Sequence, residues 1–163
     1  MKAKTTNIED KLTEVIIRPN CNIKSRQWWT LQLLKLKNLL IKHLNLNQKK
    51  ILKESRLTIL ITKNKEIQYL NQRFRNINKS TDVLSFHLKK KEQINKKYLG
   101  DIVISVQYSA KEAKKKKLPI EVELQTLLIH GYLHLLEYDH STIKESKTMF
   151  SLQNKLLKEL NFY

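Results

Sequence analysis

Apolar and polar positions along this chain switch between a period of two and a period near 3.6, and the switches divide it into elements. The stretch "KLTEVIIRP" alternates closely enough for a first strand, ended by Pro19. In "RQWWTLQLLKLKNLLIKHL" the Trp and Leu positions form one stripe, and Ser25 stands where an N-cap belongs. This predicts a long amphipathic helix, with Trp28 and Trp29 packed into the core and one ring near the surface. "RLTILIT" reads as a second strand. Asn64 is placed to cap a short helix through "KEIQYLNQRF", where Ile67, Leu70 and Phe74 fall at helical spacing.

A polar loop, "RNINKSTD", leads into "VLSFHL", a third strand. "KKKEQINKKY" reads as a solvated connection, and "LGDIVIS" as a fourth strand. The Lys-rich "VQYSAKEAKKKK" is helical, and Pro119 at the first helical position opens another helix running to about Leu136. A last amphipathic helix covers roughly Ile143 to Leu160. The expectation is a mixed α/β (α+β) fold, with a sheet of about four strands packed by about five helices.

The bulk properties add compartment and partner. A chain of 163 residues, 40% of them hydrophobic, is expected to form a single domain over 1–163 with its own core. Cys21 is the only cysteine, which excludes an internal disulfide and points to a reducing cytoplasm. The start "MKAKTTNIEDKLTE" has no apolar core of a signal peptide, and no uncharged apolar run is long enough for a bilayer. A cytoplasmic protein without a membrane partner is expected.

The net charge of +17 calls for an anionic partner, nucleic acid first. Most of the cations are Lys, which shares A/T-rich codons with the abundant Asn and Ile, so genome composition can supply part of this charge. The pair Arg73 and Arg75 is more informative, because a planar guanidinium suits phosphate oxygens.

The strongest candidate chemistry lies in "HGYLHLLEYDH", residues 130–140. The helix from Leu127 to Leu136 is apolar on nearly every side and is expected to be buried, with His130 and His134 one turn apart on one face. A buried imidazole left without a partner costs on the order of 1–3 kcal/mol. One buried His is ordinarily a hydrogen-bonded core residue. Two at this spacing, with His140 six residues on, read as a three-nitrogen metal face.

For His140 to reach back, the helix must stop near Leu136 and the chain must turn. Three His around one open position is the arrangement of a catalytic zinc site, although imidazole also suits nickel, copper and iron. Asp139 either orients a ligand or caps the turn. In H-E-x-x-H peptidases a Glu after the first His is the base. Gly131 occupies that position here and cannot take a proton. It also weakens the helix by roughly 1 kcal/mol, which predicts a close approach there, by a neighbouring strand more than by substrate. Glu137 is the only nearby carboxylate left to a peptidase reading, and it sits in the turn.

"HGYLHLLEYDH" closely resembles the H-G-x-L-H-L-x-G-Y-D-H signature of the YbeY family of bacterial rRNA maturation factors. "LNQRFRNINKSTDVLSF" looks like that family's L-N-x-x-[YF]-R-x-x-x-x-x-T-D-V-L-S-F segment, "LGDIVIS" resembles its next strand, and Met149 falls where the family has Met. The resemblance runs from about Leu70 to Met149. It implies a single-strand-specific, metal-dependent endoribonuclease, a hydrolase that matures the 3′ end of small-subunit rRNA and serves ribosome quality control. Its partners would be single-stranded RNA, rRNA and the small ribosomal subunit.

The same resemblance implies one zinc (Zn2+) held by His130, His134 and His140, with Arg75 beside it in the active-site groove. Thr81 and Asp82 are expected to hold the loop before the third strand. Arg73 is expected in a surface salt bridge, and Arg73 and Lys79 are secondary candidates for RNA contact. Alternatives from other classes are a ribosome-associated binding factor with a structural metal, and a zinc peptidase.

Several positions depart from the family pattern. Glu137 stands where the family has Gly, so either it is left-handed at a cost on the order of 1 kcal/mol or the turn is built differently and His140 shifts. His87 replaces a common Pro. Asn76, Asn78 and Ser80 replace Gly, Asp and Pro, and "STIKES" lacks most of the family's acidic residues.

Overall fold

The computed structural model describes residues 13–87 and 97–161. Its centre is a four-stranded mixed sheet built from β1 (Thr13–Ile17), β2 (Arg56–Thr62), β3 (Val83–His87) and β4 (Tyr98–Ser105) in the order β1-β2-β4-β3. The first three neighbours run parallel, and β3 lies antiparallel to β4 at the edge. Most of the expected connection "KKKEQINKKY" and the end of "VLSFHL" lie outside the described residues, as does the start of "KLTEVIIRP".

Alternation along the strands gives the sheet two apolar faces. Leu57, Ile59, Ile61, Ile102 and Ile104 point into the larger core, formed with α1 (Arg26–His43), α5 (Ile120–Leu135) and α6 (Ile143–Asn161). Leu84 and Val103 point the other way, against Ile67 of α3 (Asn64–Arg75). Trp29 is fully buried in the larger core, while Trp28 is half-buried and meets it edge-on at 4.9 Å. The remaining helices are α2 (Leu46–Glu54) and α4 (Val106–Lys116). Among the described residues no helix is long and apolar enough to cross a membrane.

Three details differ from the pattern-based expectation. Helices number six among the described residues, because α2 is separate from α1. A reciprocal capping box starts it, Asn45 accepting from the Gln48 amide at 2.9 Å while the Gln48 side chain accepts from Asn45 N–H. Only Leu52 of α2 is buried, so its periodicity is too weak to announce a helix. Asn64 is not the cap of α3 but its first residue. Its side chain is taken by Ser105, which donates to Oδ1 at 2.6 Å, and the cap position falls to Lys63. Finally, Phe74 does not share the burial of Ile67. It is 59% exposed at the end of α3, where its ring meets Phe86 of the edge strand edge-on at 5.2 Å.

Candidate metal centre

The site is placed by α5, which is buried along most of its length. A Cβ built on Gly131 would lie 2.8 Å from Ile102 Cγ2 and 3.2 Å from Ser85 Oγ. The close approach expected at this glycine is therefore made by β4 and β3. Ser85 Oγ donates to the Gly131 carbonyl at 3.2 Å, so the missing side chain sets the distance between helix and sheet.

The helix then stops where His140 must turn back to meet the other two histidines. Glu137 N–H reaches the His134 carbonyl and Tyr138 N–H the Leu133 carbonyl, both at 3.0 Å, the paired bonds of a Schellman turn. Its left-handed position is Glu137, with φ of 67°. The Glu is thus strained in the geometry a Gly would adopt freely, and His140 is not displaced. Asp139 secures the chain beyond this turn, accepting from His140 N–H at 2.8 Å and from Ser141 Oγ at 2.5 Å. These bonds hold its carboxyl below the usual range, Ser141 contributing most. "STIKES" supplies the next cap: Thr142 and Glu145 bond reciprocally and start α6.

This brings His130, His134 and His140 together, with one ring nitrogen from each within 4.8 Å of the others. The Nε2 atoms of His130 and His134 are 3.1 Å apart. Two ligands of a tetrahedral zinc, each about 2.0–2.1 Å from the ion, lie about 3.3 Å from each other, so the spacing of this pair fits a shared metal. Gln153 of α6, itself buried, faces His130 Nδ1 through Oε1 at 3.0 Å. That acceptor selects the tautomer with the proton on Nδ1 and leaves Nε2 free to ligate. Burial first, then the neighbouring histidines, pushes the His134 pKa down to about 4; burial also lowers that of His130. Both rings are therefore neutral near pH 7, the form a metal needs. His140 is exposed, which leaves the cluster open at that corner, while Phe150 stacks on one face of its ring at 5.8 Å and 12°.

The three histidines share a cavity of about 540 Å³ with Arg75, Thr81, Asp82 and Ser85. Arg75, at the end of α3, donates weakly to the Ser85 carbonyl at 3.4 Å. Thr81 and Asp82 hold the loop: Thr81 Oγ1 and Val83 N–H both donate to Asp82 Oδ1, and the Asp82 carbonyl accepts from Ser105 N–H. Two candidates lie elsewhere. Lys79 is exposed outside this cavity, and its carbonyl accepts from Asn71. Arg73 makes no ion pair among the described residues; it donates to the Tyr69 hydroxyl at 3.1 Å and lies over the Phe74 ring at 5.6 Å. Aromatic neighbours replace the expected acidic one because Tyr69 and Phe74 are what this end of α3 presents.

Sequence reasoning did not single out Gln153, Phe150 or the pair Lys116–Glu123. The last also lines the cavity, with Lys116 Nζ donating to both oxygens of the buried Glu123 at 2.7 and 2.9 Å. Only Gln153 leaves a sequence signal, as a polar residue four after Met149 on the buried stripe of α6. His87 and Glu137 line a different cavity, next to α2, so Glu137 is not the carboxylate that a peptidase would need beside the metal.

A mixed sheet carrying a three-histidine face, open on one side and shared with an arginine, defines a candidate metallohydrolase. The family model described as endoribonuclease YbeY matches residues 22–161. Curated proteins named endoribonuclease YbeY from Persephonella marina and Pelagibacter ubique are 39% and 42% identical to the chain. Those matches cover 76% and 74% of this chain, and 78% and 80% of theirs. The solution structure of a Thermotoga maritima protein aligns with a TM-score of 0.58 at 28% identity, covering 91% of this chain and 88% of that one. The chain belongs to the YbeY family.

Proposed function

We propose that this chain is a single-strand-specific, metal-dependent endoribonuclease using one zinc ion, held by His130, His134 and His140. The observation that carries the reading is the sharing of one cavity by three clustered imidazoles and the Arg75 guanidinium. When bound, such an ion supplies Lewis acidity toward a phosphodiester and makes water acidic enough to ionise near pH 7. Arg75 binds non-bridging phosphate oxygens and offsets the charge that grows there as the bond breaks. Gln153 fixes the His130 tautomer, Phe150 screens one face of His140, and Thr81 with Asp82 keeps the wall opposite α5 in place. The open side of the cluster supports a catalytic ion over a closed structural one.

The relatives' name, endoribonuclease, supports RNA as substrate, and the charge of +17 suits a polyanion. In the cell the reading extends to maturation of the 3′ end of small-subunit rRNA and ribosome quality control, by one domain acting in the cytoplasm on the small subunit. The test is metal analysis of the purified protein paired with cleavage of single-stranded RNA by wild type and Arg75→Ala. The expected outcome is one metal per chain in both, and a loss of about 10²–10³ in kcat for the variant, as when one charge-stabilising donor is removed. Metal-loaded wild type that leaves RNA intact would overturn the reading.

A further inference from the structure

The outer end of α3, one residue before Arg75 enters the cavity, exposes Tyr69 and Phe74 at 58% and 59%, and Ile77 follows at 49%. These are large apolar groups on a strongly basic protein, and they are ordered rather than scattered. Arg73 ties the two rings together, donating to the Tyr69 hydroxyl at 3.1 Å and lying 5.6 Å from the Phe74 centroid. Phe74 is braced from behind by Phe86 of β3, at 5.2 Å. The next residue, Arg75, turns over the edge strand into the three-histidine cavity.

We propose that Tyr69, Arg73 and Phe74 form a stacking platform for an unpaired nucleobase adjacent to the phosphate that Arg75 holds. The inference rests on the reading of the cavity as the place where RNA is cut. Flat aromatic rings and a guanidinium plane are the groups on which splayed bases of single strands stack, and any base offers a π-face to them. The neighbouring Arg75 and the net positive charge attract the backbone that carries the base. A duplex buries its base faces within its own stack and cannot offer them to the platform. The platform thereby favours single strands.

The experiment measures equilibrium binding of the metal-loaded protein to single-stranded oligodeoxyadenylate, a deoxyribose strand outside the substrate class of a ribonuclease, and to an abasic strand of equal length and charge. Wild type is expected to prefer the strand with bases by at least about fivefold, the lower end of stacking on one aromatic side chain. Tyr69→Ala and Phe74→Leu should each remove most of that preference. Neither should change the affinity for the abasic strand or its salt dependence. Tyr69→Phe, which keeps the ring and loses only the hydroxyl, should retain the preference. Phe74→Leu preserves apolar packing on Phe86, and Tyr69 is exposed, so both variants should fold.

Equal binding of both strands by wild type overturns the platform, as does an equal loss for both strands in the variants. So does a patch whose loss spares nucleic acid and abolishes binding of a ribosomal protein. A protein that shows the base preference yet cuts no RNA would keep the platform and sink the cleavage reading. A protein that cuts RNA without base preference would do the opposite.

Discussion

Two helix ends feed the cavity, and they are built differently. Helix α3 ends at Asn76, left-handed with φ of 59°, just after Arg75. Helix α5 ends two residues before its own left-handed position, Glu137 at 67°, and three residues later the chain delivers His140. Asn tolerates this conformation through its short polar side chain, whereas Glu adopts it at a cost. The chain has only two glycines. Gly131 is occupied with the close approach of α5 to the sheet, so the turn at Glu137 is made by strain that the rest of the site must outweigh. The α5 end is held by Schellman bonds, the buried Gln153 and core packing. By contrast, the α3 end holds Arg75 by one long bond. The three-histidine face is thus a product of the core, and the arginine a surface group aimed at it.

This contrast can be broken most severely at Gly131. Gly131→Val would force side-chain atoms into Ile102 and Ser85, and a loss of about 1–3 kcal/mol is expected in denaturant unfolding, with metal content falling alongside. Substitutions at Arg75 should leave both quantities unchanged. Gln153→Leu, which removes the acceptor from His130 Nδ1, should weaken metal affinity about 10–100-fold in competition with a chelator while the fold persists.

Glu137→Gly should raise stability by about 1 kcal/mol, the relief of left-handed strain, with Asn76→Gly giving clearly less. Thermal unfolding of the two variants side by side measures the difference between the helix ends directly. Equal gains would remove the contrast.

A pH dependence is expected at the histidine end. In the metal-free protein, burial holds the His134 pKa near 4 and lowers that of His130, against an ordinary value of 6.5. Unfolded chains therefore bind more protons than folded ones below that value. Stability is full above pH 6.5 and falls as the pH drops toward about 4. His134→Gln should flatten this slope in urea titrations at a series of pH values.

Much of this was legible in local pattern. The spacing of His130, His134 and His140, the halt near Leu136, the four strands and the exclusion of a base at Gly131 are all set by residues near each other in sequence. The weakly amphipathic α2 was not legible, because one buried residue, Leu52, leaves no period. Nor was the exposure of Phe74, which depends on tertiary packing at the end of α3. The departure from the family pattern at Glu137 marked the position to inspect but not which of two turns would form.

By itself, then, the sequence determined the elements, the clustering of the three histidines and the family resemblance, since these are encoded in periodicity and short spacing. Tertiary structure decided what surrounds the ligands: Gln153 selecting a tautomer, Arg75 crossing the sheet edge into the cavity, Arg73 turning to aromatic rings instead of an acid. Each of these depends on the packing of segments far apart in the chain, and distance through space leaves no trace in spacing along it.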